Sequence, residues 1–137
     1  MKKALSLALV LTLLCPCIFS FALEETRASN YFTSYGTSMS APGNGLIGIT
    51  FRAVGTDICN QIGVASYTVQ RQEDNGNWTD VSGLLSGQTG TNVASYTFGR
   101  YFQGVAGETY RIQVTFLCVI NNSSETKSYT SGRITAK

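Results

Sequence analysis

Two residues in this chain of 137 can bond covalently to each other, Cys59 and Cys118. The other two cysteines, Cys15 and Cys17, fall inside an apolar N-terminal run. In an oxidising compartment an even pair in a small domain is most simply a disulfide. Closing a loop of roughly 60 residues would stabilise the fold by roughly 4 kcal/mol on the chain-entropy model. The other reading of the pair is two buried free thiols. Two thiols without histidine are too few ligands for zinc or haem, so neither a metal nor a cofactor is expected.

Histidine is absent from the whole chain. This removes the commonest general base, the usual Ser and Cys triads and most zinc sites. Gly-x-Ser-x-Gly, a phosphate-cradling glycine loop and His-Glu-x-x-His are absent as well. Glycoside hydrolysis would need two facing carboxylates. The candidates, Asp57, Glu73, Asp74, Asp80, Glu108 and Glu125, fall mostly at expected turns and read as solvated turn acids. No Asp-x-Asp-x-Asp spacing supports calcium. No catalytic residue is therefore assigned, and the chain is not expected to be an enzyme. What remains is recognition by aromatic side chains, which stack on sugar rings or anchor protein partners. Trp78, beside a polar turn, and Tyr101 are the candidate ligand-binding residues. Tyr31 and Tyr35 read better as core.

The elements that would position these residues are strands. Tyr110, Ile112, Val114, Phe116, Cys118 and Ile120 alternate with polar or smaller residues, which is period two with a single core face. Leu46 to Val54 places Ile47, Ile49, Phe51 and Ala53 on one side. Val64 to Gln72 places Ala65, Tyr67 and Val69 inward and Ser66, Thr68, Gln70 and Gln72 outward. Further strands are expected at Tyr31 to Thr37, Trp78 to Ser82, Ala94 to Phe102 and Tyr129 to Thr135. Turns are expected at Ala41 to Gly45, Asp74 to Asn77, Ser86 to Gly90 and Asn121 to Ser124, where Gly, Asn, Asp and Ser cluster. Seven short strands and no convincing helix predict an all-β fold, an antiparallel seven-stranded immunoglobulin-like β-sandwich.

The N-terminus bears on location. Lys2 and Lys3 precede an apolar run from Ala4 to Phe21, and small residues follow at Ser20-Phe21-Ala22 and again at Thr26-Arg27-Ala28. This is the pattern of a signal peptide over residues 1–22, with cleavage as late as residue 28, leaving one domain over 29–137. The alternative is an uncleaved membrane anchor, since Ala4 to Ala22 is within the length that spans a bilayer. The terminal position, Pro16 and the polar stretch after Ala22 favour cleavage and a secreted, extracellular protein. Lys2 and Lys3 carry the whole of the formal +2 charge. The remaining charges are sparse and scattered, so neither nucleic acid nor, once the leader is gone, a membrane is an expected partner.

Gly107-Glu108-Thr109-Tyr110-Arg111-Ile112-Gln113-Val114 resembles the entry to the F strand of fibronectin type III domains, where a tyrosine clasps the preceding turn. Tyr67-Thr68-Val69-Gln70-Arg71, followed by Trp78-Thr79-Asp80-Val81, resembles their C–C′ hairpin. On that lettering Cys59 falls in the B–C connection and Cys118 at the end of F. A wider resemblance rests on Arg27-Ala28-Ser29 with Tyr31 and Tyr35, Gly43-Asn44-Gly45, Gln61-Ile62-Gly63-Val64-Ala65, Gln70-Arg71 with Trp78, and Gln103-Gly104-Val105-Ala106-Gly107 with Tyr110-Arg111. It is similar to small secreted proteins of Gram-positive, often gut-dwelling, bacteria grouped as a domain of unknown function. That resemblance implies export and a β-sandwich and transfers no catalytic residue. The expected function is a secreted, non-catalytic module binding an extracellular protein or glycan. The alternative is a self-associating surface or matrix component that pairs through edge strands, on Tyr31 to Thr37 or Tyr129 to Thr135.

Overall fold

The computed structural model describes residues 29–137. The expected signal peptide and both of its cleavage points lie outside the described residues. The chain forms β1 (Phe32–Gly43), β2 (Leu46–Gln72), β3 (Trp78–Asp80), β4 (Leu85–Ser86), β5 (Thr89–Gln103), β6 (Thr109–Ile120), β7 (Ser123–Thr130) and β8 (Ile134–Thr135). All pairings are antiparallel, and there is no helix among the described residues.

The strands join into one sheet around β2. Residues 46–54 of β2 carry β1 on one edge and β5 on the other. Further along, β6 takes over from β1, while β4 and β3 take over from β5. β7 and β8 then pair with the far edge of β6. The sheet curls into a half-barrel, so that β1 and β5 face β6 and β7 across the core. Two irregularities in β2 assist the curl, because bulges bend a strand and raise its twist. Between the pairs Val54–Ser95 and Cys59–Val93, residues 55–58 of β2 stand opposite Ala94 alone. A second register shift falls between Val64 and Ser66.

Most of the core is the alternating set that the sequence marks, joined by Ile62 and Val64. Phe51 and Phe116 are fully buried, as are Ile47, Ile62 and Ile112. Phe51 stacks on Phe98 at 4.8 Å and touches Tyr67 at 4.9 Å, while Tyr35 meets Phe116 at 5.3 Å across the curl. Burying one such side chain is worth about 1.5–3 kcal/mol.

Three details depart from the sequence reading. The strand count is eight, in one sheet: β2 runs unbroken through residues 55–63, where a loop is expected, while β4 is an added strand and β7 and β8 replace one expected strand. Gly55, Asp57 and Asn60 look like breakers, yet the bulge absorbs the first two, and Asn60 lies between paired Cys59 and Gln61, so the strand does not end. Val64, not Ala65, points inward, because the bulge shifts the alternation by one residue; Ala65 is exposed. β7 starts at Ser123, ahead of the expected Tyr129, and ends before β8. Asn121 and Asn122 both take positive φ, 51° and 64°, and close a two-residue hairpin there.

Candidate functional site

Trp78 opens β3, across the expected 74–77 turn from Gln72. Glu73 N donates to Asn77 O and Gly76 N donates to Glu73 O, so the turn closes on its own backbone. Alternation puts Arg111 of β6 on the outer face of the sheet, and its guanidinium carbon lies 4.3 Å from the centre of the Trp78 ring. Arg111 Nε donates to Gln70 Oε1 at 2.8 Å, and Gln70 Nε2 donates to Asp80 Oδ1 at 2.7 Å. Gln70 is buried, so both ends of its amide need these partners. Asp80, Gln70, Arg111 and Trp78 thus form one ordered row over β3, β2 and β6. Trp78 is largely covered, and one face of its ring is occupied by the cation. Nearby, hydrogen bonding from Arg71 holds the Glu73 carboxyl below its usual range.

Tyr101 sits on the outer face of β5, paired with Gly48 of β2. It is 75% exposed, whereas Gly48 beneath it is buried. A Cβ on Gly48 would come within 3.4 Å of the Tyr101 ring and 2.6 Å of Ser40 Oγ. The ring lies over Gly48 at van der Waals distance, and the tight contact for a Cβ there is Ser40 Oγ. Around it the face carries small polar side chains, Ser38, Ser40, Thr50 and Thr97, and one cation, Arg52, all exposed. Such a surface has an aromatic plate, a ring of hydroxyls and little that would obstruct a flat ligand.

The two candidate aromatics do not form a single site, since they occupy the outer faces of different halves of the curl. Arg111, Gln70 and Asp80 escape sequence reasoning because only the strand register joins them. Alternation alone places Arg111 outward, and that is the one signal available. Among the described residues, no three of His, Cys, Asp and Glu gather closely enough to hold a metal.

Cys59 and Cys118 do meet, as their expected proximity requires. Both are fully buried, and their Sγ atoms are 3.0 Å apart. At that separation they are two thiols and not the expected disulfide, whose sulfurs lie about 2.05 Å apart. Cys118 Sγ donates toward Cys59 Sγ, and Cys59 Sγ donates to Asp57 O at 3.3 Å, inside the bulge. Burial pushes the Cys118 thiol up to about 12, and its hydrogen bond to Cys59 adds to this. A thiol in that state is a poor nucleophile and a poor metal ligand.

At the start of β6, Val105 N donates to the Tyr110 hydroxyl at 2.8 Å. The tyrosine clasps the preceding turn. No family model and no curated protein matches the chain. A solved structure described as a protein from Archaeoglobus fulgidus is similar at 16% identity over 77% of this chain and 98% of that one, with a TM-score of 0.41.

Proposed function

We propose that this chain is an exported, non-catalytic recognition module that binds a glycan or protein outside the cell through the outer face of β1, β2 and β5. The observation that carries this reading is Tyr101, three-quarters exposed over Gly48. A solvent-facing aromatic plate suits the apolar face of a sugar or a partner's side chain. Exposed hydroxyls and the Arg52 guanidinium around it supply the directional hydrogen bonds that fix orientation. The lack of histidine supports the non-catalytic part. A glycan array and an extracellular-protein panel test the reading, using the natural chain, Tyr101→Ala and Trp78→Ala. The expected result is binding that falls at least about tenfold in Tyr101→Ala, as for an interface anchor, and persists in Trp78→Ala. Binding unchanged in Tyr101→Ala would remove this face from the site.

The architecture belongs to the same reading. The pairing of β1 and β5 with the first part of β2, and of β3, β4, β6 and β7 with the rest, is consistent with an immunoglobulin-like sandwich whose B and C strands have fused. The Tyr110–Val105 hydrogen bond supports it. Membership of the Gram-positive secreted family is proposed on the residues quoted above. Cys59 and Cys118 stay a buried dithiol; non-reducing mass spectrometry checks this, with the mass of two free thiols expected and a mass two hydrogens lower refuting it.

A further inference from the structure

A sheet edge exposes unpaired backbone N–H and C=O groups, and natural proteins blunt such edges with charges, bulges, prolines or short strands. Three long strands here have a strand neighbour on one edge only. β7 is blunted by Glu125 and Lys127, which are linked at 3.5 Å and lie largely buried on the inner side of the strand. β5 carries Arg100, tied to Gln88 Oε1 at 2.9 Å and lying over the Phe98 ring. β1 differs from both. Its twelve residues, Phe32 to Gly43, contain no charge, and Pro42 stands only at its far end.

The side chains of β1 are unfinished in a way that fits an added strand. Thr37 Oγ1 is buried and has no hydrogen-bond partner among the described residues. A groove of about 390 Å³ runs along β1 from Ser34 to Ser38, with Thr50 and Arg52 on its other side. A second hollow of about 190 Å³ lies between Thr37 and Met39 and the 131–134 segment. Thr37 therefore borders open space on both sides of the edge.

We propose that β1 is a self-association edge, on which a second copy of this chain lays its own β1 antiparallel about a two-fold axis at Thr37. This register makes the strand complementary to itself. Thr37 meets Thr37 of the second copy, where a turn about χ1 would carry its buried, unpartnered hydroxyl to the new neighbour, and Tyr35 meets Met39. On the outer face Gly36 meets Ser38 and Ser34 meets Ser40, all small enough to continue the sheet without a step. Cross-strand Thr–Thr and aromatic pairs are among the favourable ones, and no like charges oppose each other. The contact is isologous, so it closes as a dimer and does not propagate. This inference stands apart from the ligand reading at Tyr101, and either can fail without the other.

The test is the molar mass of the purified full chain by light scattering and sedimentation, from about 1 µM to about 1 mM, the range of weak association. Ser38→Lys/Ser40→Lys is measured beside it; both positions are exposed, and four cations would then face one another across the axis. The expected result is a dimer that dissociates on dilution in the natural chain, and a monomer of unchanged circular dichroism in the double variant. Thr37→Cys should also cross-link to itself under mild oxidation, well ahead of Ser128→Cys on exposed β7. A natural chain that stays monomeric throughout, a dimer that survives both lysines, or equal cross-linking at the two cysteines overturns the proposal.

Discussion

The Arg111 guanidinium lies over the Trp78 ring, and the two residues come from strands that are not neighbours, with Gln70 of β2 between them. Each of the three holds the next in place. Arg111→Ala is expected to cost about 1–2 kcal/mol, combining the lost cation–π contact with a buried amide oxygen left unpaired. Urea unfolding reads the loss. Trp78 is the single tryptophan of the chain, so its emission should shift to the red in the same variant as the ring is uncovered.

Reduced protein should be sensitive to alkaline pH. The ordinary thiol value is near 9.0, and burial lifts that of Cys118 to about 12 in the folded state. The folded state therefore holds a proton that the unfolded state releases. This contribution to stability is fully present below pH 9 and is lost as pH rises through 12. Denaturant midpoints of the reduced chain should fall across that window. Those of Cys118→Ala should lack this component.

Tyr110→Phe removes the acceptor for Val105 N–H while keeping the ring in the core, 5.7 Å from Phe102. A loss of about 1–2 kcal/mol is expected, the penalty for leaving a partly buried donor unpaired. Amide exchange at Val105 should accelerate more than at any residue of β6.

Gly55 marks the bulge from within. A Cβ there would collide with Cys59 Sγ, and it would also come within 2.9 Å of Asp57 O. Gly55→Ala is expected to destabilise the fold by about 1–3 kcal/mol, as overpacking does. Thermal melts of Gly55→Ala and Gly55→Ala/Cys59→Ala check the cause: the second substitution should recover part of the loss.

Much of this molecule can be read from its residue order where one face of a strand is buried. Tyr110 to Ile120 alternates cleanly because β6 has core on one side only, and Ile47 to Ala53 does so for the same reason. The two cysteines are legible as a pair, and so are the turns at 44–45 and 75–76. The continuity of β2 is not legible. Gly55, Asp57 and Asn60 are turn formers by local preference, and only pairing with β5 beyond the bulge keeps them in a strand. The two aromatic sites divide in the same way. Trp78 and Tyr101 stand out by type, but what each touches is decided by register. Arg111 reaches Trp78 across β2, and Tyr101 lies over Gly48 of the neighbouring strand.

The long β2 strand also governs how the chain reaches its shape. Leu46 pairs with Gln103 and Gln61 with Val119, partners roughly 60 positions away along the chain. Contacts of that separation close slowly, because loop entropy must be surrendered before any pairing compensates it. Acquisition of the native state therefore belongs in the millisecond-to-second range of sheet proteins and not the microseconds of helical bundles. The two halves share one continuous strand, each drawing its middle strand from a different part of β2.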